Sequence, residues 1–169
     1  MQKNGECQID ITLRRAGLAS GPGPLRRYTR AILQGAASAT GWSGAAISVL
    51  YCDRAQIRAL NAEFRGIVEE TDVLSFPAAE DVAELVGEME PHLGDLAICL
   101  PYTHHSADEQ SRNLDEEVAL LLVHGFLHLL GFDHDTAAKK KTMWKETDRI
   151  LALLRDVPRP GLEMKPENV

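Results

Sequence analysis

Residues 118–134 read Val-Ala-Leu-Leu-Leu-Val-His-Gly-Phe-Leu-His-Leu-Leu-Gly-Phe-Asp-His. Val118 to Leu130 is apolar almost without interruption, which predicts a helix buried on every side at the centre of the fold. Asn113, three residues before Glu116, is suited to cap its start, and Gly131 to stop it. His124 and His128 are one helical turn apart, so their rings share a face. Gly131 lets the chain reverse and bring His134 back to the same point. Three neutral imidazoles with a fourth position left open are the pattern of a catalytic zinc, one ion per chain, rather than of a closed structural site. A lone histidine in an apolar helix is ordinarily a core residue with a hydrogen-bond partner. A second at one-turn spacing and a third after a glycine turn favour the metal reading.

Working outward, Ile9, Ile11 and Leu13 alternate with polar residues as a half-buried strand does. A Gly/Pro/Ser stretch from Gly17 to Pro24 ends it, and Pro24 suits the first turn of a helix carrying Leu25, Tyr28, Ile32 and Leu33. Ala45 to Tyr51 reads as a second strand. Asp53 with Gln56 resembles a capping box opening a helix toward Glu63. Val73 to Phe76 and Gly94 to Cys99 read as further strands, separated by an acidic excursion from Ala78 to His92 that is either a loop or helix-bearing. Pro101 can start another helix, and Ala137 to about Leu154 a last one, with Met143, Ile150, Leu151 and Leu154 on its inner stripe. The pattern predicts an α+β domain, residues 1–157, with a mixed sheet of about four strands, about five helices and a central buried metal-binding helix. Pro158, Pro160 and Pro166 predict a flexible C-terminal tail over 158–169.

The chain has 169 residues, 44 % hydrophobic and 25 % charged, the composition of a globular domain that needs no disulfide framework. Cys7, Cys52 and Cys99 are odd in number and form no Cys-x-x-Cys pair, which fits idle thiols in a reducing cytosol. No apolar run approaches the ~20 residues of a membrane span, and Met1 to Asp10 is too polar for a signal peptide. A cytoplasmic location is expected. The net charge is −7, distributed unevenly. Residues 1–65 carry nine Lys/Arg against four Asp/Glu, whereas residues 66–118 carry one against fourteen. That balance argues against a non-specific nucleic-acid coat but leaves room for a few well-placed cations.

The histidine spacing equals that of zinc peptidases with a His-Glu-x-x-His-x-x-Gly-x-x-His motif. Gly125 stands where those enzymes carry the general-base glutamate. Gly125 reads equally as a tight-packing residue or as open space beside the metal. Without that base, a phosphodiester becomes the better substrate, because a metal polarises the phosphoryl oxygen and a cation holds the developing charge. Arg65 is the candidate cation, although alone it reads as a surface residue at a helix end. Asp72 and Ser75 alone read as turn and cap residues. Asp133 is either a turn former or a partner to a ligand histidine. His92, His104 and His105 are expected in solvent, and Trp144 with Met143 in the core. Lys139 to Lys141 read as a solvated face close enough to His134 to meet phosphate.

At these residues the sequence resembles the YbeY family of bacterial endoribonucleases. Three blocks carry the likeness. One spans Ile57 to Pro77, with Leu60-Asn61, Phe64-Arg65-Gly66 and Thr71-Asp72-Val73-Leu74-Ser75-Phe76-Pro77. The second is Gly94-Asp95-Leu96-Ala97-Ile98-Cys99. The third, Val123 to His134, follows the family's His-Gly-x-Leu-His-Leu-x-Gly-x-Asp-His. With element order included, the likeness extends from Ile9 to about Leu154. It implies zinc on His124, His128 and His134 and Arg65 as the functional arginine of the cleft; Asp72, Ser75 and Asp133 are candidate contacts of the ligands or the substrate. It also implies single-stranded RNA cleavage, maturation of the small-subunit ribosomal RNA 3′ end and ribosome quality control. The expected partners are therefore RNA and the small ribosomal subunit, not DNA or a membrane. Two departures stand out: Ile67, Val68, Glu69 and Glu70 fill a loop that tends to be basic in the family, and Lys139 to Lys141 follow His134 where it tends to be acidic. These lysines are expected to replace the missing loop cations in part. Two rival readings are a metallopeptidase whose carboxylate comes from elsewhere, and a non-catalytic assembly factor with a structural zinc.

Overall fold

Alternating burial of Ile9 and Ile11 against exposed Gln8, Asp10 and Thr12 makes β1 (Gln8–Leu13) a strand with one face on the core. We describe residues 5–166 from a computed structural model. Residues 1–4, part of the leader reading, and 167–169, the end of the expected tail, lie outside the described residues.

Helix α1 (Pro22–Thr40) opens on Pro22, two residues earlier than Pro24 suggested, because a missing N–H costs nothing in a helix's first turn. It closes at left-handed Gly41. The chain returns as β2 (Ala46–Cys52) parallel to β1, and Asp53 then caps α2 (Arg54–Arg65) by accepting the Gln56 N–H. Next come β3 (Val73–Pro77) and β4 (His92–Cys99). The excursion between them is a loop with a single 3₁₀ turn at Val82–Leu85. Helices α3 (Leu100–Glu109), α4 (Leu114–Leu129) and α5 (Ala137–Leu153) complete the chain.

The sheet runs β1-β2-β4-β3, with β3 the sole antiparallel strand among those described. The α+β expectation of a four-stranded mixed sheet with five helices holds. Successive side chains of β4 serve opposite faces: Leu96 and Ile98 join the main core with α1 and α4, while Ala97 and Cys99 join a smaller cluster with Ile57 of α2. A strand covered on both faces loses its polar alternation, which explains the unbroken apolar run from Leu96 to Cys99.

Helix α4 crosses this core under a full capping box, with Asn113 bound to the Glu116 N–H and Glu116 reaching back to Asn113. The expectation of burial on every side needs correction. Glu116, Leu120, His124 and His128, spaced by four, form one half-exposed stripe along an otherwise buried helix. The chain leaves α4 through Gly131 (φ 89°), where the Phe132 N–H reaches the Leu127 carbonyl and the Gly131 N–H that of His128. This Schellman-type ending requires a left-handed residue, so glycine fits the position.

The C-terminal segment is not a frayed tail as far as residue 166. The carboxylate of Asp115, itself buried on α4, accepts the backbone N–H groups of Gly161 and Leu162, each at 2.9 Å. Leu18 and Met164 form an antiparallel bridge, and Leu162 and Met164 are buried. The prolines prevent a helix but leave the donors Asp115 needs.

Candidate metal centre

Helix α4 and the turn after it place three imidazoles together. Ring centroids of His124 and His128 are 4.9 Å apart, those of His128 and His134 5.0 Å, and those of His124 and His134 6.0 Å. One nitrogen from each ring falls within 4.8 Å of the others, a group able to hold a metal ion. Asp133 fixes the approach of His134 by accepting its backbone N–H at 2.7 Å.

The electrostatics suit a cation. Burial, then the neighbouring charges of His128 and His134, push His124 down to about 4. Burial and His134 also lower His128, opposed by a hydrogen bond with the Phe132 backbone and by Asp133, while the Arg65 charge lowers it further. Neutral imidazoles are the form that binds metal. Among the described residues, His124 Nδ1 is the one buried side-chain polar atom without a hydrogen-bond partner. Such an atom costs free energy unless a partner from outside the chain, such as a metal ion, engages that nitrogen itself. The all-nitrogen donor set fits zinc. The thiols are elsewhere: burial raises Cys7 and Cys99 to about 11 and Cys52 to about 12, so these are inert.

The three rings open into a cleft of about 590 Å³. Arg65, at the end of α2, lines it, as do Asp72 and Ser75 of the β3 segment and Asp133. Each of the latter three also has a structural bond. Asp72 accepts the Val73 N–H at 2.7 Å, opening β3, and Ser75 Oγ donates to the Gly125 carbonyl at 3.4 Å, holding α4 to the sheet. The loop between Arg65 and Asp72 is tied back to α2 by Asn61 Nδ2 donating to the Glu69 carbonyl and by an Arg54–Glu70 ion pair at 2.7 Å. Glu70, which looked like a lost cation, is therefore a partner for Arg54.

Gly125 faces the sheet, not open space. A Cβ there would meet Leu96 Cδ2 at 2.9 Å and Ser75 Oγ at 3.3 Å. Lys139 is exposed and paired with Asp135 at 3.0 Å, and none of Lys139 to Lys141 is among the residues lining the cleft. His92, His104 and His105 lie outside the cleft, each beside a carboxylate of its own segment.

Three cleft residues escaped the sequence reading. Trp144, expected in the core, is 39 % exposed and lies 5.2 Å from the His124 ring. Glu117, two turns before His124 on α4, is buried and paired at 3.0 Å with Arg112 from the α3–α4 turn. The i, i+7 spacing of Glu117 and His124 was the signal available for it.

Comparison with known proteins agrees with this architecture. A family model described as "Endoribonuclease YbeY" matches residues 22–155. Proteins named Endoribonuclease YbeY include one from Rhodopseudomonas palustris (strain BisA53), 41 % identical over 116 residues, or 69 % of this chain and 67 % of that one. Another, from Moorella thermoacetica, is 43 % identical over 126 residues, 72 % of this chain and 81 % of that one. The solution structure of TM1509 from Thermotoga maritima superposes with a TM-score of 0.56 over 94 % of this chain and 98 % of that one, at 23 % identity, a likeness of fold.

Proposed function

The chain belongs to the endoribonuclease YbeY family, and from that membership we propose that it is a zinc-dependent endoribonuclease acting on single-stranded RNA. Its proposed setting is the cytoplasm, in maturation of the small-subunit ribosomal RNA 3′ end and in ribosome quality control. The observation that carries the reading is the convergence of His124, His128 and His134 in one cleft with Arg65.

His124, His128 and His134 would hold the metal. When bound, zinc supplies a Lewis acid at the scissile phosphate and lowers the pKa of a nearby water. The rest is done by the chain. The Arg65 guanidinium binds the phosphate as a planar donor fork and stabilises charge that builds on its oxygens. Asp133 holds the backbone of His134. Ser75 keeps α4 at a fixed distance from β3, which sets the width of the cleft at the histidines. No helix among the described residues is long and apolar enough to cross a membrane.

The test is cleavage of a single-stranded RNA by metal-loaded protein beside His128→Ala and Arg65→Ala. The reading expects the wild type to cut and both variants to fail while folded. An intact substrate with the metal-loaded wild type would leave an assembly factor with a histidine-bound metal.

A further inference from the structure

We propose that Trp144 is the stacking platform for a nucleobase of the RNA next to the scissile phosphate, so that the cleft accepts a strand only where a base is free of pairing. This inference rests on the nuclease reading above.

Packing does not account for where this side chain lies. The buried stripe of α5 is Met143, Thr147 and Ile150. Trp144 sits about 100° round the helix from Met143, so the smaller residue takes the core position and the indole faces the cleft. Tryptophan has the largest apolar surface to bury, yet this one keeps 39 % of its area in solvent. It is the one aromatic residue besides the histidines among those lining the cleft. Its ring, tilted 34° from that of His124 at 5.2 Å, stands at the candidate metal centre itself.

Apart from the metal, side-chain charge in the cleft gives a strand little hold. Among the described residues lining the cleft, Arg65 and Arg112 are the two permanent cations, and Arg112 is partly neutralised by Glu117. Two phosphate contacts give a salt slope of only about −1.4 for a single strand. A chain of net charge −7 therefore gains from an uncharged source of affinity for a polyanion away from the metal. Base–aromatic stacking contributes it without sequence preference, because every base has a π-face. In a duplex that face is already stacked and unavailable, so the same contact selects unpaired strands.

The chain has two tryptophans, so W42F leaves Trp144 as the sole tryptophan, whose emission is excited selectively at the red edge of the absorption band. In metal-loaded W42F, stopped-flow mixing with a single-stranded oligoribonucleotide should quench the emission before cleavage. The same ribose-phosphate chain lacking bases, or a duplex, should not. In cleavage assays W144L, which keeps an apolar side chain without a π-face, should raise KM by about 5- to 150-fold. W144F should recover most of the loss, and kcat should change much less than KM. A KM for W144L within about twofold of wild type, or equal quenching by the abasic strand, overturns the stacking role and leaves the nuclease reading intact. If the wild type neither cuts RNA nor responds to it, both fall.

Discussion

The backbone of Gly125 lies so close to Leu96 that a Cβ at 125 would stand 2.9 Å from Leu96 Cδ2. The position that carries the general-base glutamate in the zinc peptidases is here the contact between α4 and β4. G125E, which restores that motif on paper, is expected to yield no peptidase activity and to lower stability. Even G125A should gain none of the ~1 kcal/mol of helix propensity, because the added methyl displaces Leu96 and crowds Ser75. Thermal melts and a casein assay check this; a protease arising in G125E would revive the peptidase reading.

Asp115 holds the C-terminal segment with two charge-assisted bonds. Asp115→Ala should cost about 2–4 kcal/mol and open the chain beyond residue 157 to proteolysis, with Asp115→Asn losing less. Urea midpoints and the sites of limited tryptic cleavage report both effects.

The Arg112–Glu117 pair predicts an asymmetry. Glu117 is buried and Arg112 is 41 % exposed at its side chain, so the guanidinium can turn to water while the carboxylate cannot. Arg112→Ala strands a buried charge and should cost about 1–3 kcal/mol; Glu117→Gln should cost less. Equal losses by denaturant titration would mean that water reaches Glu117 freely.

In chelated protein, stability should depend on pH in a defined window. Burial holds His124 at about 4 against an ordinary 6.5, so between those values the unfolded chain binds a proton that the folded chain refuses. Stability should fall as pH is lowered from about 6.5 to about 4, with His128 adding in the same direction. His124→Asn should flatten the profile. A profile as steep in His124→Asn as in wild type would assign the effect to other groups.

Removing the metal should abolish RNA cleavage without unfolding the chain, because His124 and His128 are only half-buried and His134 is exposed, outside the buried core. Added zinc should raise the melting temperature by mass action, about 2.7 kcal/mol at 100 times its Kd. A chelated protein with no cooperative melt would favour the structural-zinc rival.

Caps, breakers and periodicity act over a few residues, and the sequence was sufficient where they decide. Asn113 with Glu116 starts α4, Gly131 ends it, and one-turn spacing puts His124 beside His128. The strand pattern was legible for the same reason, and so was the α+β class. The rest depends on residues distant along the chain, whose encounter no local pattern encodes. Which stripe of α4 stays open is decided by what β3, β4 and α1 cover. Gly125 proved a packing residue because Leu96 and Ser75 lie against it. Trp144 left the core because Met143 fits it. The proline-rich terminus is docked because Asp115, forty-six residues before Gly161, is buried with acceptors to fill. Local backbone preference fixed the elements and the histidine spacing, and only packing between elements decided which side chains meet in the cleft.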